Sequence, residues 1–139
     1  MGVVASDDQP LLGLLSMILP CIASGNRVVA VPSLKAALIV ADFYQLIDTS
    51  DVPGGVINLV TGVPSELATV LAAHDDVAAI WAVGPVDECE QIKKESAGNL
   101  KSVWTSDGKS PDWYDSQAEG SLWLERATQV KNIWIPYGE

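Results

Sequence analysis

The sequence predicts an α/β fold: a Rossmann-like, doubly wound, mainly parallel sheet of about five strands flanked by helices, plus a C-terminal extension strand. Three observations predict it. Short β-branched runs alternate with longer segments of helical periodicity. The runs are apolar on both faces, as strands covered by helices on two sides must be. The breaks between segments fall at Gly and Pro, the residues that punctuate such units. Alternation of this kind, joined by right-handed crossovers, gives a doubly wound sheet.

Each element has its own reason. Residues 2–5 (Gly-Val-Val-Ala) make the first strand. The apolar stretch 11–23 reads as a buried helix near 10–24: Pro20 interrupts it, and it is shorter than the roughly 20 residues that cross a bilayer. Asp7 and Asp8 precede it where a signal peptide would carry Lys or Arg. Residues 27–31 form the second strand, and Ser33 after Pro32 suits the N-cap of a helix over 33–48. Pro53-Gly54-Gly55 turns the chain into a third strand at 56–60. Pro64 and Pro85 fit the first turns of helices at 64–74 and 86–97, around a fourth strand at 78–83. Gly25 and Gly98 suit left-handed helix ends, and a weaker strand covers 100–105. After it the pattern stops. Residues 1–105 thus form the sheet domain and 106–120 a loop anchored by Trp113 and Tyr114, while 121–139 hold a short helix and a strand-like run at 130–135. An apolar edge such as Val130, Ile133, Trp134 and Ile135 tends to be paired with something.

Composition narrows the function. In 139 residues, 48% are hydrophobic and 19% charged, which suits a single folded domain with covered surfaces. The net charge of -10 repels phosphate backbones and anionic lipid heads, so neither nucleic acid nor membrane is an expected partner. A complete enzyme with cofactor and substrate domains usually needs more than about 200 residues. Two cysteines without scaffold spacing point to a reduced, cytoplasmic setting.

Little catalytic chemistry is legible. No Gly-x-Gly occurs, so the usual dinucleotide fingerprint is absent. Gly108-Lys109-Ser110 looks like the end of a phosphate loop, but Val103 replaces its first glycine and Pro111 blocks the helix that should follow. Cys21 lies in an apolar helix, which opposes a thiolate, and Cys89 sits among Asp87, Glu88 and Glu90 as an inert surface thiol. His74 ends a helix before Asp75 and Asp76, and no zinc ligand set exists, so no metal is expected. The five Trp read as packing or interface residues.

A resemblance adds to this reading. The stretch from Pro10-Leu-Leu through Gly25-Asn-Arg-Val-Val-Ala-Val-Pro32-Ser, Pro53-Gly-Gly-Val-Ile-Asn-Leu-Val-Thr-Gly62, Leu71-Ala-Ala-His-Asp-Asp-Val77 and Gly108-Lys-Ser-Pro111 resemble, in order, the cofactor-binding half of an aldehyde dehydrogenase. The tail 125–139 resembles the C-terminal strand with which that family oligomerises, and the family's catalytic portion with its cysteine nucleophile is missing between the two. The combination is similar to the truncated second, C-terminal domain of aldehyde dehydrogenase family 16. The chain starts within what would be a strand, which favours a fragment of a longer protein.

The resemblance also marks departures. The family's oxyanion-hole asparagine falls on Asp8, and a carboxylate there repels a developing oxyanion. Its ribose-holding Lys-Pro-x-Glu reads Val31-Pro32-Ser33-Leu34. Its Phe-Thr-Gly-Ser pyrophosphate turn reads Ala82-Val83-Gly84-Pro85, and proline removes an N–H that would face the phosphate. Its general-base glutamate falls on Thr105. Asp8 and Thr105 are thus vestigial catalytic positions, and Val31, Pro32, Leu34, Gly62, Gly84 and Pro85 vestigial cofactor positions. No cofactor is expected; NAD is the one that the resemblance leaves open. The expected function is that of a non-catalytic aldehyde-dehydrogenase-like domain in assembly or partner binding. Its partner would be a second copy or an active aldehyde dehydrogenase domain, met through Trp113, Tyr114, Val130, Ile133, Trp134 and Ile135. The alternatives are an NAD-dependent aldehyde oxidoreductase component completed by another chain, and a small acidic module binding a ligand at the C-terminal strand ends.

Overall fold

The computed structural model describes residues 1–138, with Ala37 described by its backbone alone. Five parallel strands run in the order β3-β2-β1-β4-β5: β1 Gly2–Val4, β2 Val28–Val31, β3 Ile57–Leu59, β4 Ala79–Ala82 and β5 Ser102–Thr105. Between them lie α1 Pro10–Ala23, α2 Ala37–Asp48, α3 Pro64–Ala73 and α4 Val86–Glu95, and after β5 comes α5 Ser121–Arg126. The register sets Val3 beside Ala30 and Trp81, and Trp81 beside Trp104. All five predicted strands and the helices around them are present.

Alternation within each strand divides the core in two. Val3, Ala30, Trp81 and Val83 face α1 and α5, where they meet Leu14, Met17, Ile18, Cys21 and Trp123. Val4, Val31, Ile80 and Ala82 face α3 and α4, against Ala68, Ala72 and Ile92. With both faces covered, the strands read as continuous apolar runs, which is why the sequence announces them so clearly. No described helix is long and apolar enough to cross a membrane.

Helix ends show why the chain turns where it does. Pro10 and Pro64 occupy first helical positions, where a missing N–H costs nothing. Gly25 leaves α1 at φ +81°, as its C-terminal place requires, whereas Gly98 lies in a 3-10 turn, Ser96–Gly98, and has no left-handed φ. Lys101 closes α3: its Nζ donates to the Leu71, Ala72 and His74 carbonyl oxygens at 3.1, 2.5 and 2.8 Å. These are carbonyls with no partner further along the helix.

Two expectations are corrected here. Residues 130–135 form no strand: among the described residues no backbone hydrogen bond reaches them, and Trp134 is 91% exposed. A strand exists only with a neighbour to bond, and this tail lies along neither sheet edge. Trp113 is the second, for it is buried in the chain's own core and so presents no interface, while Tyr114 beside it is exposed. Its ring packs on Trp123 at a centroid distance of 5.6 Å, so the loop's aromatic anchor faces inward.

Candidate functional site

The chain winds outward from β1 to β2 and β3, then crosses back to β4 on the other side of β1. Loops leaving β1 and β4 therefore part at their C-terminal ends and leave a crevice, the usual ligand position in open α/β sheets. Here it has a volume of about 520 Å3 and is bounded by Ser6, Asp7 and Asp8 after β1, Leu34 after β2, Val63–Ser65 at the start of α3, Val83–Pro85 and Glu88 at the start of α4, and Gly108 and Ser110 after β5. Of the vestigial positions, Asp8, Leu34, Gly84 and Pro85 line it. Val31 and Pro32 are buried and do not line it, nor does Gly62, just before α3. Thr105 does not line it; its Oγ1 donates to Asp107 Oδ1 at 2.7 Å.

One side of the mouth is held by a polar knot. Ser33 Oγ donates to Asp7 Oδ1 at 2.5 Å while accepting the Lys35 N–H at 3.1 Å, and Lys35 Nζ lies 3.2 Å from Asp7 Oδ2. The Ser33 hydrogen bond first, and Lys35 second, hold the Asp7 carboxyl below its ordinary value. This joins the β1–α1 loop to the 3-10 turn Leu34–Ala36. The loop also holds Gln9 at φ 49°, an uncommon conformation for a residue with a side chain.

The opposite side is the turn into α4. Gly84 N–H donates to Ser106 Oγ at 3.2 Å, and its carbonyl accepts the Gly108 N–H at 3.1 Å. Gly108 stands at φ +80°, and a Cβ there would meet Val86 Cγ2 at 2.8 Å, so only glycine fits. Pro85 is the N-cap of α4 and offers no N–H, and Asp87 and Glu88 bring carboxylates to its first turn. Glu88 Oε2 reaches within 3.4 Å of where a Gly84 Cβ would stand. A helix N-terminus that could attract an anion is thus covered by the chain's own negative charge. These residues do not fit a dinucleotide pyrophosphate: the Gly84 donor is already used, the next residue has none, and a carboxylate lies over the turn.

The candidate nucleophiles are structural. Cys21 Sγ donates to the Met17 carbonyl at 3.1 Å, and burial pushes its thiol up to about 12. Cys89 is buried, not at the surface as expected. It is buried on α4 like Ile92 while Asp87 and Glu90 are exposed, and its thiol points at the Gly84 carbonyl, 3.5 Å away. His74 Nδ1 accepts the Asp76 N–H at 3.1 Å, closing a turn. Among the described residues no group of three or more His, Cys, Asp and Glu side chains is placed to hold a metal ion.

Sequence reasoning missed Glu88, Ser33 and Ser106 as parts of this site. Glu88 had a usable signal, an acidic residue in the first turn of a helix at the Gly84-Pro85 corner. The Ser33–Asp7 and Ser106–Gly84 bonds join residues 26 and 22 positions apart and had none.

Comparison with known proteins agrees with this architecture. The chain matches the aldehyde dehydrogenase family over residues 1–125. It is 34% identical over 111 residues to 2-aminomuconic semialdehyde dehydrogenase of Mus musculus, covering 79% of this chain and 23% of that protein. It is 29% identical over 127 residues to betaine aldehyde dehydrogenase of Bacillus subtilis, covering 91% and 26%. An aldehyde dehydrogenase of Pseudomonas syringae, solved with NAD+ and octanal, superposes with a TM-score of 0.73 at 32% identity, over 79% of this chain and 23% of that one. The chain spans about a quarter of the length of these relatives. A family match over most of its length, on a sheet of the same fold, places this chain in the aldehyde dehydrogenase family.

Proposed function

We propose that this chain is a non-catalytic aldehyde-dehydrogenase-like domain that acts in assembly or partner binding. One observation supports the reading above others: the corner where a pyrophosphate would rest is closed by the chain's own groups, with Pro85 lacking an N–H, Gly84 N–H bonded to Ser106 and Glu88 over the turn. A carboxylate at that place opposes an anionic ligand by the interaction that would otherwise attract it. The polar positions carried over by resemblance agree: Leu34 offers no group for a ribose, and the Thr105 hydroxyl, where a general base would stand, is spent on Asp107. The exposed apolar tail supplies a contact surface, and its partner is a second copy of the chain or an active aldehyde dehydrogenase domain. Two free, buried thiols accord with a cytoplasmic setting.

Titrating NAD to millimolar concentration while following tryptophan fluorescence tests the closed corner. The expected outcome is no saturable change. Saturable binding would overturn it in favour of an NAD-dependent oxidoreductase component whose site another chain completes.

A further inference from the structure

A second cleft, of about 260 Å3, opens beside β5 and α5. Its walls include Trp104, Trp123 and Leu122, and three charged side chains line it, Arg126, Asp112 and Asp115. The indoles form a fixed platform: Trp123 meets Trp104 edge to face at 4.9 Å and the buried Trp81 at 5.2 Å. The Arg126 guanidinium lies 5.2 Å from both the Trp104 and Trp123 rings, which orients it through cation–π attraction and leaves its N–H groups free to donate.

The charges are arranged for a ligand of both signs. Asp112 Oδ1 accepts the Tyr114 N–H at 3.0 Å, and Asp115 Oδ1 accepts the Gln117 N–H at 2.9 Å and the Ser116 hydroxyl at 3.3 Å, which orients both carboxylates while their second oxygens have no partner among the described residues. Arg126 shares the cleft with them, yet the ion pairs among the described residues are Lys35–Asp7 and Lys93–Asp107, and none joins Arg126 to either aspartate. Opposite charges held apart around an aromatic wall suit a molecule that carries a carboxylate, an ammonium and an apolar group. The volume lies just below the about 300–1,000 Å3 of drug-sized pockets and admits a small ligand.

We propose that this cleft binds a free α-amino acid with an apolar side chain: Arg126 takes the carboxylate, Asp112 and Asp115 take the ammonium, and the side chain lies on Trp104 and Leu122. This site is independent of the crevice at the strand ends. The test uses the full chain, labelled with 15N, titrated with L-leucine and followed at the indole N–H resonances. Saturable shifts are expected at Trp104 and Trp123. Isovalerate lacks the ammonium and isopentylamine lacks the carboxylate, so each should bind at least about ten-fold more weakly, the equivalent of about 1.4 kcal/mol. Arg126→Gln should weaken L-leucine by about the same factor, with Arg126→Lys between the two. Because Arg126 also covers the indoles, the double variant D112N/D115N, which keeps both backbone-capping acceptors, provides a second reading and should weaken L-leucine too. An absence of saturable shifts, isopentylamine binding as tightly as L-leucine, or unaltered affinity in the D112N/D115N chain would each overturn the proposal.

Discussion

Asp7 shows how one side chain sets the shape of the crevice. Its two oxygens are bonded to Ser33 and Lys35, so the loop after β1 is fastened to the turn after β2. Both partners favour the charged carboxylate, and the folded chain holds it below its ordinary value of 3.8. A carboxyl with a depressed folded pKa contributes stability that is fully present above its unfolded value and is lost as pH falls through the folded one. Asp7→Asn should therefore lower the melting temperature at neutral pH, and the gap between the two proteins should narrow as pH falls below about 3.8 and then close. Thermal melts of both chains between neutral and acid pH check this; a constant gap would mean that the hydrogen bond matters and the charge does not. Asp107 is a comparable case at the end of β5. It stands at φ 49° with Lys93 Nζ and Thr105 Oγ1 both on its Oδ1, and they hold its carboxyl below the ordinary value in that order. Thr105 is thereby a turn-forming residue here.

At the scale of elements, α1 is fitted to the loop after β5 at one point. A Cβ on Gly13 would meet Trp113 Nε1 at 2.8 Å and Cε2 at 3.1 Å, so helix and indole touch only because Gly13 has no side chain. Two effects of Gly13→Ala oppose each other. Alanine gains about 1 kcal/mol of helix propensity, whereas overpacking a rigid, buried indole costs about 1–3 kcal/mol. The indole is wedged by Trp123, so packing decides the sign, and Gly13→Ala should be destabilising by about 1 kcal/mol or more in urea unfolding. Trp113 Nε1 has no hydrogen-bond partner among the described residues, and such a buried donor costs about 1–3 kcal/mol. Trp113→Phe removes the orphan donor and, with the smaller ring, leaves room for the aromatic to shift away from residue 13, so it should rescue part of the Gly13→Ala loss. A double-mutant cycle with no coupling between the two sites would refute this account.

The molecule as a whole shows which of its features a sequence can carry. The strands were legible because residues 2–5, 27–31 and 78–83 are apolar on both faces, a local pattern with one structural solution. Gly84-Pro85 and Asp8 are singled out by the resemblance to the aldehyde dehydrogenases, and they line the crevice as that resemblance implies. The Trp104–Trp123–Arg126 arrangement is not, since it depends on where the loop over 106–120 returns the chain to the sheet. Residues 130–135 differ from the expected strand for a related reason: strand propensity is local, but a strand's partner is not, and they have none among the described residues. Val130, Ile133, Trp134, Ile135 and Tyr137 are all exposed, so a chain with net charge -10 leaves a run of large apolar side chains uncovered near its C-terminal end. Such a segment costs the fold nothing when removed, since it buries nothing in the monomer. Deleting residues 130–139 should therefore change folding stability by no more than about 0.5 kcal/mol in urea unfolding. The same deletion should abolish self-association if the tail is the contact surface. Light scattering over a range of concentrations separates the two roles: the intact chain should exceed the mass of one copy as concentration rises, and the shortened chain should stay at it. Equal masses for both chains would remove the tail from homotypic assembly, and a large loss of stability would show that it packs on its own domain.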